Sequence, residues 1–460
     1  MRVSRRSALA TLVLATTVVA AACTGGDDDA PTLTATAEPT TTAPAAPTTP
    51  PDQVAEDIEI LMSAFNRGLN PERIERLGNS GDVRHAWLIA DLMQFFPRGM
   101  TAEDLNDAWR QLTGVPREQP RGWQASTDYL IANDIPAPDD YVRLKTGLLQ
   151  FVGNDWDPFF EDPNADVDWR LVSWGGVAID DRPVENAHRP CGNCIPALND
   201  PPLTDIDGGN WYPDDRTVFT IEVNGEIRAY PKNIMEVHEM VNDTIGGRRI
   251  ALAYCTLCGT AQAFFTDELP DGIETSTGTL ELRTSGLLAR SNKVMFDLHT
   301  FSLFDTFRGR AISGPLHDVG FELEFVSVGT ADWGAVKAAR PDVMILNQNT
   351  GQLGVYPLDP LGDRDDDGPI FPVGDVDPRL LIQEQVLGVS HDGTTVAFPE
   401  AATRFALATG QPVEFEGITV GLEAGALVAR TMSGDRIATH QAFWFAWSQF
   451  NPETEIWAPA

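Results

Sequence analysis

Residues 216–231, RTVFTIEVNGEIRAYP, decide the fold class. Val218, Thr220 and Glu222 alternate up to Asn224-Gly225, and Ile227 and Ala229 resume the alternation after it. Period-two alternation about an Asn-Gly pair predicts an antiparallel hairpin, because both turn residues must take positive φ and these two do so at least cost. A short helix is expected over KNIMEVHEMVND, 232–243, and a strand over RRIALAYC, 248–255, which delivers Cys255. The order returns near the C-terminus. EQVLGVSHDGTTVAFPEAATRFAL, 384–407, again reads strand, Asp-Gly turn, strand, aromatic-Pro, helix, and GITVGLEAG, 417–425, stands where RIALAYCTLCG, 249–259, stood. This is the pattern of an internal duplication in which only the first copy carries cysteines.

Working towards the N-terminus, the texture changes. Residues 54–150 repeat apolar positions at three and four spacing, as in VAEDIEILMSAFNRGL, 54–69, and read as a helical domain. TAEDLNDAWRQLTG, 101–114, opens on Thr101 as a cap, places Glu103 and Asp104 in the first turn and closes on Gly114. Residues 151–182 are a junction rich in Trp, Asp and Pro. The expected architecture is therefore α+β: a small all-α domain, then a mixed, β-rich α/β main domain over 183–460.

The first fifty residues carry an address. Arg2, Arg5 and Arg6 precede an apolar run from Ala8 to Ala22, the layout of a signal peptide over 1–22 and too short to span a bilayer. SRRSAL leaves Sec and twin-arginine export open. VVAAAC ends on Cys23, the expected site of lipidation, and residues 23–53 form a Pro/Thr-rich linker with nothing to build a core. The expected location is the outer face of a bacterial cytoplasmic membrane or the cell envelope, with the lipid as the membrane contact. A formal net charge of -34 argues against nucleic-acid partners. DRDDDG, 363–368, begins like a calcium loop, but position twelve is Gly374, so it reads as a solvated acidic turn.

Four cysteines remain, as two C-x-x-C pairs, Cys191/Cys194 and Cys255/Cys258. Three readings stay open. Cys255 and Cys258 could form a redox dithiol, Cys255 the nucleophile and Cys258 the resolving thiol, provided a helix starts at Cys258 and stabilises the thiolate. His238 is the candidate acid, base or ligand beside them. Alternatively the four thiolates could bind zinc, or copper with help from His238 or Met295. Finally, both pairs could be disulfide staples in an exported protein.

Several stretches stand in one order: IPALNDPP (195–202), VNGEIRAYP (223–231), HEMVNDTIGG (238–247), YCTLCGTA (254–261), SGLLARSNKVMFDLHTFSLF (285–304), GPLHD (314–318) and FWFAWSQFNPETEIW (443–457). In these the chain resembles the bacterial family called domain of unknown function 3179, over about residues 183–457. The resemblance implies no settled activity. Some members look like selenoproteins at the cysteine motif, which implies redox chemistry at Cys255 and Cys258 with His238 as polar neighbour. This chain departs from the family pattern at Thr256, where Pro is usual, at Leu298, where Arg is usual after the aspartate matching Asp297, and at Phe304, where Trp is usual. Cys191 and Cys194 stand where cysteines are commonly lacking and read as a second dithiol or a local staple. The functional expectation is an envelope thiol–disulfide protein acting on a thiol substrate or protein partner; the alternative is a metal-binding or surface interaction module.

Overall fold

The Asn-Gly hairpin forms as read. Thr217–Val223 pairs antiparallel with Glu226–Pro231, Val223 faces Glu226, and Asn224 and Gly225 take φ of 50° and 86°. Two positive φ values give the turn the twist of its strands. The computed structural model describes residues 48–459, apart from 120, 154, 190, 353, 354, 363 and 365–367. The expected signal peptide, Cys23 and most of the expected linker lie outside the described residues, as does most of the acidic run 363–368.

Around this hairpin the chain builds five small sheets in a β-propeller arrangement, preceded by a helical region. The β-rich body and the helices were expected; the propeller was not. Apolar clusters join each sheet to the next. Ala251 and Phe264 pack with Leu282 and Met295. Phe219 and Tyr230 pack with Leu252 and Ala263. Val218 and Ile227 meet Ala426. Val389 and Phe398 meet Val420 and Ala429. Val386 and Ala442 meet Cys258 and Leu288, and so close the ring.

The same order of elements occurs twice. Thr217–Val223, Glu226–Pro231, helix Lys232–His238, Met240–Ile245, Arg248–Cys255 and Thr260–Phe265 correspond to Gln385–His391, Thr394–Pro399, helix Glu400–Ala408, Val413–Phe415, Ile418–Glu423 and Ala426–Thr431. Each copy ends alike. Val328–Asp332 returns to pair with Thr217–Val223, and Thr439–Phe443 returns to pair with Gln385–His391. A short helix follows each return, Trp333–Ala339 or Trp444–Phe450, and a last strand joins in parallel, Met344–Leu346 on Glu226–Pro231 and Glu455–Ile456 on Thr394–Pro399.

The copies differ by an insertion. Between Phe265 and Phe325 the first copy places Leu282–Ala289, Asn292–Asp297 and Leu303–Asp305, where the second has only the turn at 432–435. With Val172–Trp174 from the junction these strands make the fifth sheet. Asp297 caps its turn, accepting from the amides of Glu281 at 2.7 Å and Thr300 at 2.8 Å, while Leu298 packs towards the helices. The helical region shares a core with this sheet: Leu88, Leu92 and Phe159 cluster with Leu287, Val294 and Phe296. Trp156 Nε1 donates to the Ser285 carbonyl at 2.8 Å and Gln94 Nε2 to that of Trp174 at 2.7 Å. The described residues accordingly belong to one compact unit.

Local signals explain the helix ends. Asn70 accepts from the Arg73 amide at 3.2 Å and Pro71 opens the helix Pro71–Gly78. Met100–Thr113 closes on Gly114 in the left-handed region, as expected, but starts one residue before Thr101, with Gly99 at the cap and no side-chain cap bond.

Close packing in the second copy gives a test. A Cβ on Gly388 would lie 2.2 Å from the ring of Trp447, whose side chain is fully buried. Gly388→Ala is expected to cost about 1–3 kcal/mol through overpacking, read as a lower urea midpoint with an unchanged slope.

Candidate functional site

Cys255 ends the strand Arg248–Cys255, residues 256–259 turn, and Thr260–Phe265 runs back as a strand with Thr260 opposite Cys255. No helix starts at Cys258, so the proviso attached to a Cys255 thiolate is not met. Gly259, at φ +60°, closes a hairpin, and the alternating residues after it pair across to Ile250–Cys255. The helix dipole invoked to favour a Cys255 thiolate is thus missing at this position. In the second copy the equivalent hairpin turns through Ala424 and Gly425 alone, two residues fewer.

Cys255 and Cys258 are disulfide-bonded, with Cα atoms 5.5 Å apart. Both are buried, at 4% and 2% exposure, among Leu257, Leu288, Phe307, Val386, Trp444 and Trp447. Apolar surroundings oppose the thiolate that exchange needs. The turn is clamped to the second copy: the Phe443 amide donates to the Cys258 carbonyl at 2.9 Å. A Cβ at Gly259 would lie 2.6 Å from Gln385 Nε2 and 3.1 Å from the Phe443 ring, so this position requires glycine by both φ and space.

Beside the turn lies a buried ion pair that the sequence reading did not single out. Lys293 Nζ donates to Glu239 Oε2 at 2.8 Å and to Thr284 Oγ1 at 2.7 Å; the Thr256 hydroxyl donates to Glu239 Oε1 at 3.2 Å. Burial pushes the Lys293 ammonium below the usual lysine range, with Glu239 opposing the shift. Glu239 itself takes φ 54° at the end of helix Lys232–His238.

His238 is placed elsewhere. It is fully buried, its Nδ1–H donates to the Pro196 carbonyl at 2.6 Å, and Nε2 accepts from the Tyr356 hydroxyl at 2.6 Å. Burial lowers its pKa to about 4. Both nitrogens are therefore used in tying two loops to the helix, one of them just beyond the other cysteine pair. Cys191 and Cys194 are disulfide-bonded, Cα atoms 5.6 Å apart, on a half-buried loop whose Gly192 and Asn193 are exposed. The four sulfurs thus form two separate disulfides, and Met295 is buried among Ala251, Phe264 and Phe304. Among the described residues no three His, Cys, Asp or Glu side chains converge as metal ligands. Paired as disulfides, Cys191, Cys194, Cys255 and Cys258 are not presented as one set of four thiolates.

What the turn does border is a polar cleft of about 860 Å³ built by both copies. The first copy contributes Thr217, Lys232, Asn233, Glu236, Thr256, Gly259 and Thr330; the second contributes Gln385, Glu400, Gln441 and Phe443. Lys232 and Glu400 occupy equivalent places, each directly after its hairpin's proline. One turn on, Lys232 pairs with Glu236 at 3.3 Å, and Glu400 pairs with Arg404 at 2.7 Å, so the charges are exchanged between copies. Glu400 Oε2 also accepts from Gln441 Nε2 at 2.6 Å. Asn233 is 1% exposed; its Nδ2 donates to the Pro357 carbonyl at 2.9 Å, but its Oδ1 is buried without a partner, and so is Gln385 Oε1. A buried acceptor left unpaired costs about 1–3 kcal/mol. Sequence reasoning passed over these residues, although aligning the two copies sets Lys232 and Glu236 against Glu400 and Arg404.

Comparison with known proteins gives one match. The model of the family described as "Protein of unknown function (DUF3179)" matches residues 192–430, a little over half of the chain. No curated protein and no solved structure matches.

Two outcomes are expected. In the native protein Cys191–Cys194 opens before Cys255–Cys258 under mild dithiol reductant, read by differential alkylation and mass spectrometry; equal rates would overturn the ranking. The depressed His238 pKa also sets a pH dependence. Above its unfolded value near 6.5 the histidine is neutral in both states; as pH falls from there to about 4 the unfolded chain takes up the proton first, and stability falls. The loss is up to about 3 kcal/mol, and unfolding curves of His238→Gln should show a shallower fall across that window.

Proposed function

The chain belongs to the DUF3179 family, whose description names no activity, and we propose that it is an exported, envelope-anchored binding protein that holds a small polar ligand in the cleft between its two copies. The carrying observation is the cleft itself, about 860 Å³ and lined from both copies by the polar side chains of Lys232, Glu236, Glu400 and Gln441. The cleft volume falls in the range of small-molecule sites. The Cys255–Cys258 disulfide supports the reading as a brace. It fixes the turn that presents Thr256 and Gly259 to the ligand, and fixing a lining in advance lowers the ordering cost of binding. The repeated element order supports descent of both halves from one duplicated unit. The leader, Cys23 and the Pro/Thr spacer support anchoring at the outer face of the membrane, and the strong negative charge disfavours nucleic acid.

A thiol–disulfide function has one specific observation in its favour. The C-x-x-C turn borders the cleft, and its Thr256 touches the buried Lys293–Glu239 pair, which could accept and return a proton during exchange. Burial of both sulfurs and the hairpin setting weigh towards the brace.

The binding reading is tested by screening a chemically mixed fragment set against the full chain with ligand-observed NMR. Hits are expected to lose at least tenfold in affinity, about 1.4 kcal/mol, in Asn233→Ala or Gln441→Ala that retain the wild-type melting temperature. A screen with no hit sensitive to either substitution would sink the cleft as a site.

A further inference from the structure

We propose that the Cys191–Cys194 disulfide is a reducible switch that sets the position of one wall of the cleft. The wall is the stretch 355–362, which has no helix or strand and lends Leu358, Asp359, Leu361 and Gly362 to the lining. Its root is Tyr356, 4% exposed between the exposed Val355 and Pro357. The Tyr356 hydroxyl donates to His238 Nε2 at 2.6 Å, and His238 Nδ1–H donates in turn to the Pro196 carbonyl, also at 2.6 Å. Just before the wall, Gln352 Nε2 donates to the carbonyls of Ala187 and Ala197, both at 2.9 Å. Ala187 and Ala197 are the two stems of the loop that the disulfide closes, and Pro196 lies two residues past Cys194. Two side chains, Gln352 and Tyr356, thus tie the wall to the cysteine loop. Asn233 Nδ2 adds a separate tie from the helix Lys232–His238 to the Pro357 carbonyl at 2.9 Å, which keeps the wall attached when the loop lets go.

The loop depends on its crosslink for shape. Among the described residues between its stems there is no helix, and the backbone bridge it makes is Cys194 to Ala178, with the Asn193 carbonyl accepting from the Ala178 amide at 2.8 Å. Charged side chains grip its ends: Arg182 donates to the carbonyls of Ala187 and Arg189, and Asp180 accepts from the Ala197 amide at 3.0 Å. Between those grips the disulfide removes conformations that the backbone would otherwise visit, and opening it returns them. The two disulfides differ in access. Cys191 and Cys194 are half-buried beside the exposed Gly192 and Asn193, whereas Cys255 and Cys258 are 4% and 2% exposed.

The reductant is a dithiol, such as that of a thiol–disulfide exchange protein. Its thiolate attacks Cys194 Sγ, the Cys191–Cys194 bond breaks, and the electron pair leaves on Cys191 Sγ. The Cys194 amide, 2.9 Å from Cys191 Sγ, stabilises that charge and makes Cys191 the better leaving group. The second thiolate of the reductant then attacks the mixed disulfide, releases Cys194 and closes the reductant's own disulfide. Two electrons pass from the dithiol to the pair, and the two protons it loses end on Cys191 and Cys194. The freed loop no longer holds the Ala187 and Ala197 carbonyls in register for one amide, nor Pro196 for His238. Tyr356 then leaves its burial and the wall shifts.

The chain has six tyrosines, so fluorotyrosine labelling of the full chain gives six fluorine resonances, that of Tyr356 being assigned from Tyr356→Phe. The wild type is compared oxidised, after reduction that alkylation shows to open Cys191–Cys194 alone, and as Cys191→Ser/Cys194→Ser. The Tyr356 resonance is expected to show no solvent isotope shift between light and heavy water when oxidised. It should gain one in the reduced protein and in the double variant and lose it on reoxidation, while the other five resonances stay in place. An unchanged Tyr356 resonance in the reduced wild type overturns the switch and leaves a local staple. Movement of all six overturns it too, because the pair then holds the whole fold, and so does failure to open Cys191–Cys194 without Cys255–Cys258. The reduced wild type decides the matter if the double variant does not fold. The readout needs no ligand, so a silent fragment screen removes the binding reading and leaves the switch standing or falling on its own.

Discussion

The return of a late strand to the first strand of each copy is the constraint on which the rest depends. Val328–Asp332 must come back to Thr217–Val223, and Thr439–Phe443 to Gln385–His391. Without those pairings each hairpin keeps only the short parallel strand on its other edge, and small sheets of that kind are marginal in water. With them, a Trp-led helix is laid down after each return, and Trp333 and Trp444 are both fully buried. The first closure spans the inserted sheet, yet the entropy of a longer loop grows only logarithmically. Large insertion at that point is therefore compatible with the ring. The same return strands carry Thr330 and Gln441 into the cleft, so the closure of the fold and the building of the site are one event.

Much of the local structure was legible because local chemistry fixes it. Asn224-Gly225 could hardly be anything but a hairpin turn, and Gly114 ends its helix as a left-handed cap. The propeller was not legible. Its closing strands include Phe325–Val326, Arg436–Ile437 and Glu455–Ile456, too short to show any period. The conformation after Gly259, left open between helix and strand, has a similar cause. GTAQAFF is compatible with helix or strand when read alone, and the choice was made by pairing across to Ile250–Cys255 and by the Phe443 amide on the Cys258 carbonyl.

At the site, residue type was visible and role was not. The cysteines and His238 stood out by chemistry, but whether a sulfur faces solvent or Trp447 is a tertiary fact. His238 owes its neutral tautomer to Pro196 and Tyr356, the latter more than a hundred residues away. Asn233, Gln441 and Glu400 are ordinary residues in a sequence. Their meaning comes from meeting in one cleft, and only the comparison of one copy with the other brings them forward.

Two copies of one unit facing a common cleft have a degeneracy to resolve. If both halves presented the same groups, a ligand lying across them could be turned end for end and bind equally well. Here Lys232 and Glu236 stand in one half where Glu400 and Arg404 stand in the other, and the disulfide-closed turn is longer on one side alone. The cleft therefore has a polarity. Its two ends are chemically distinguishable, so a molecule laid across both copies would meet different groups at each end.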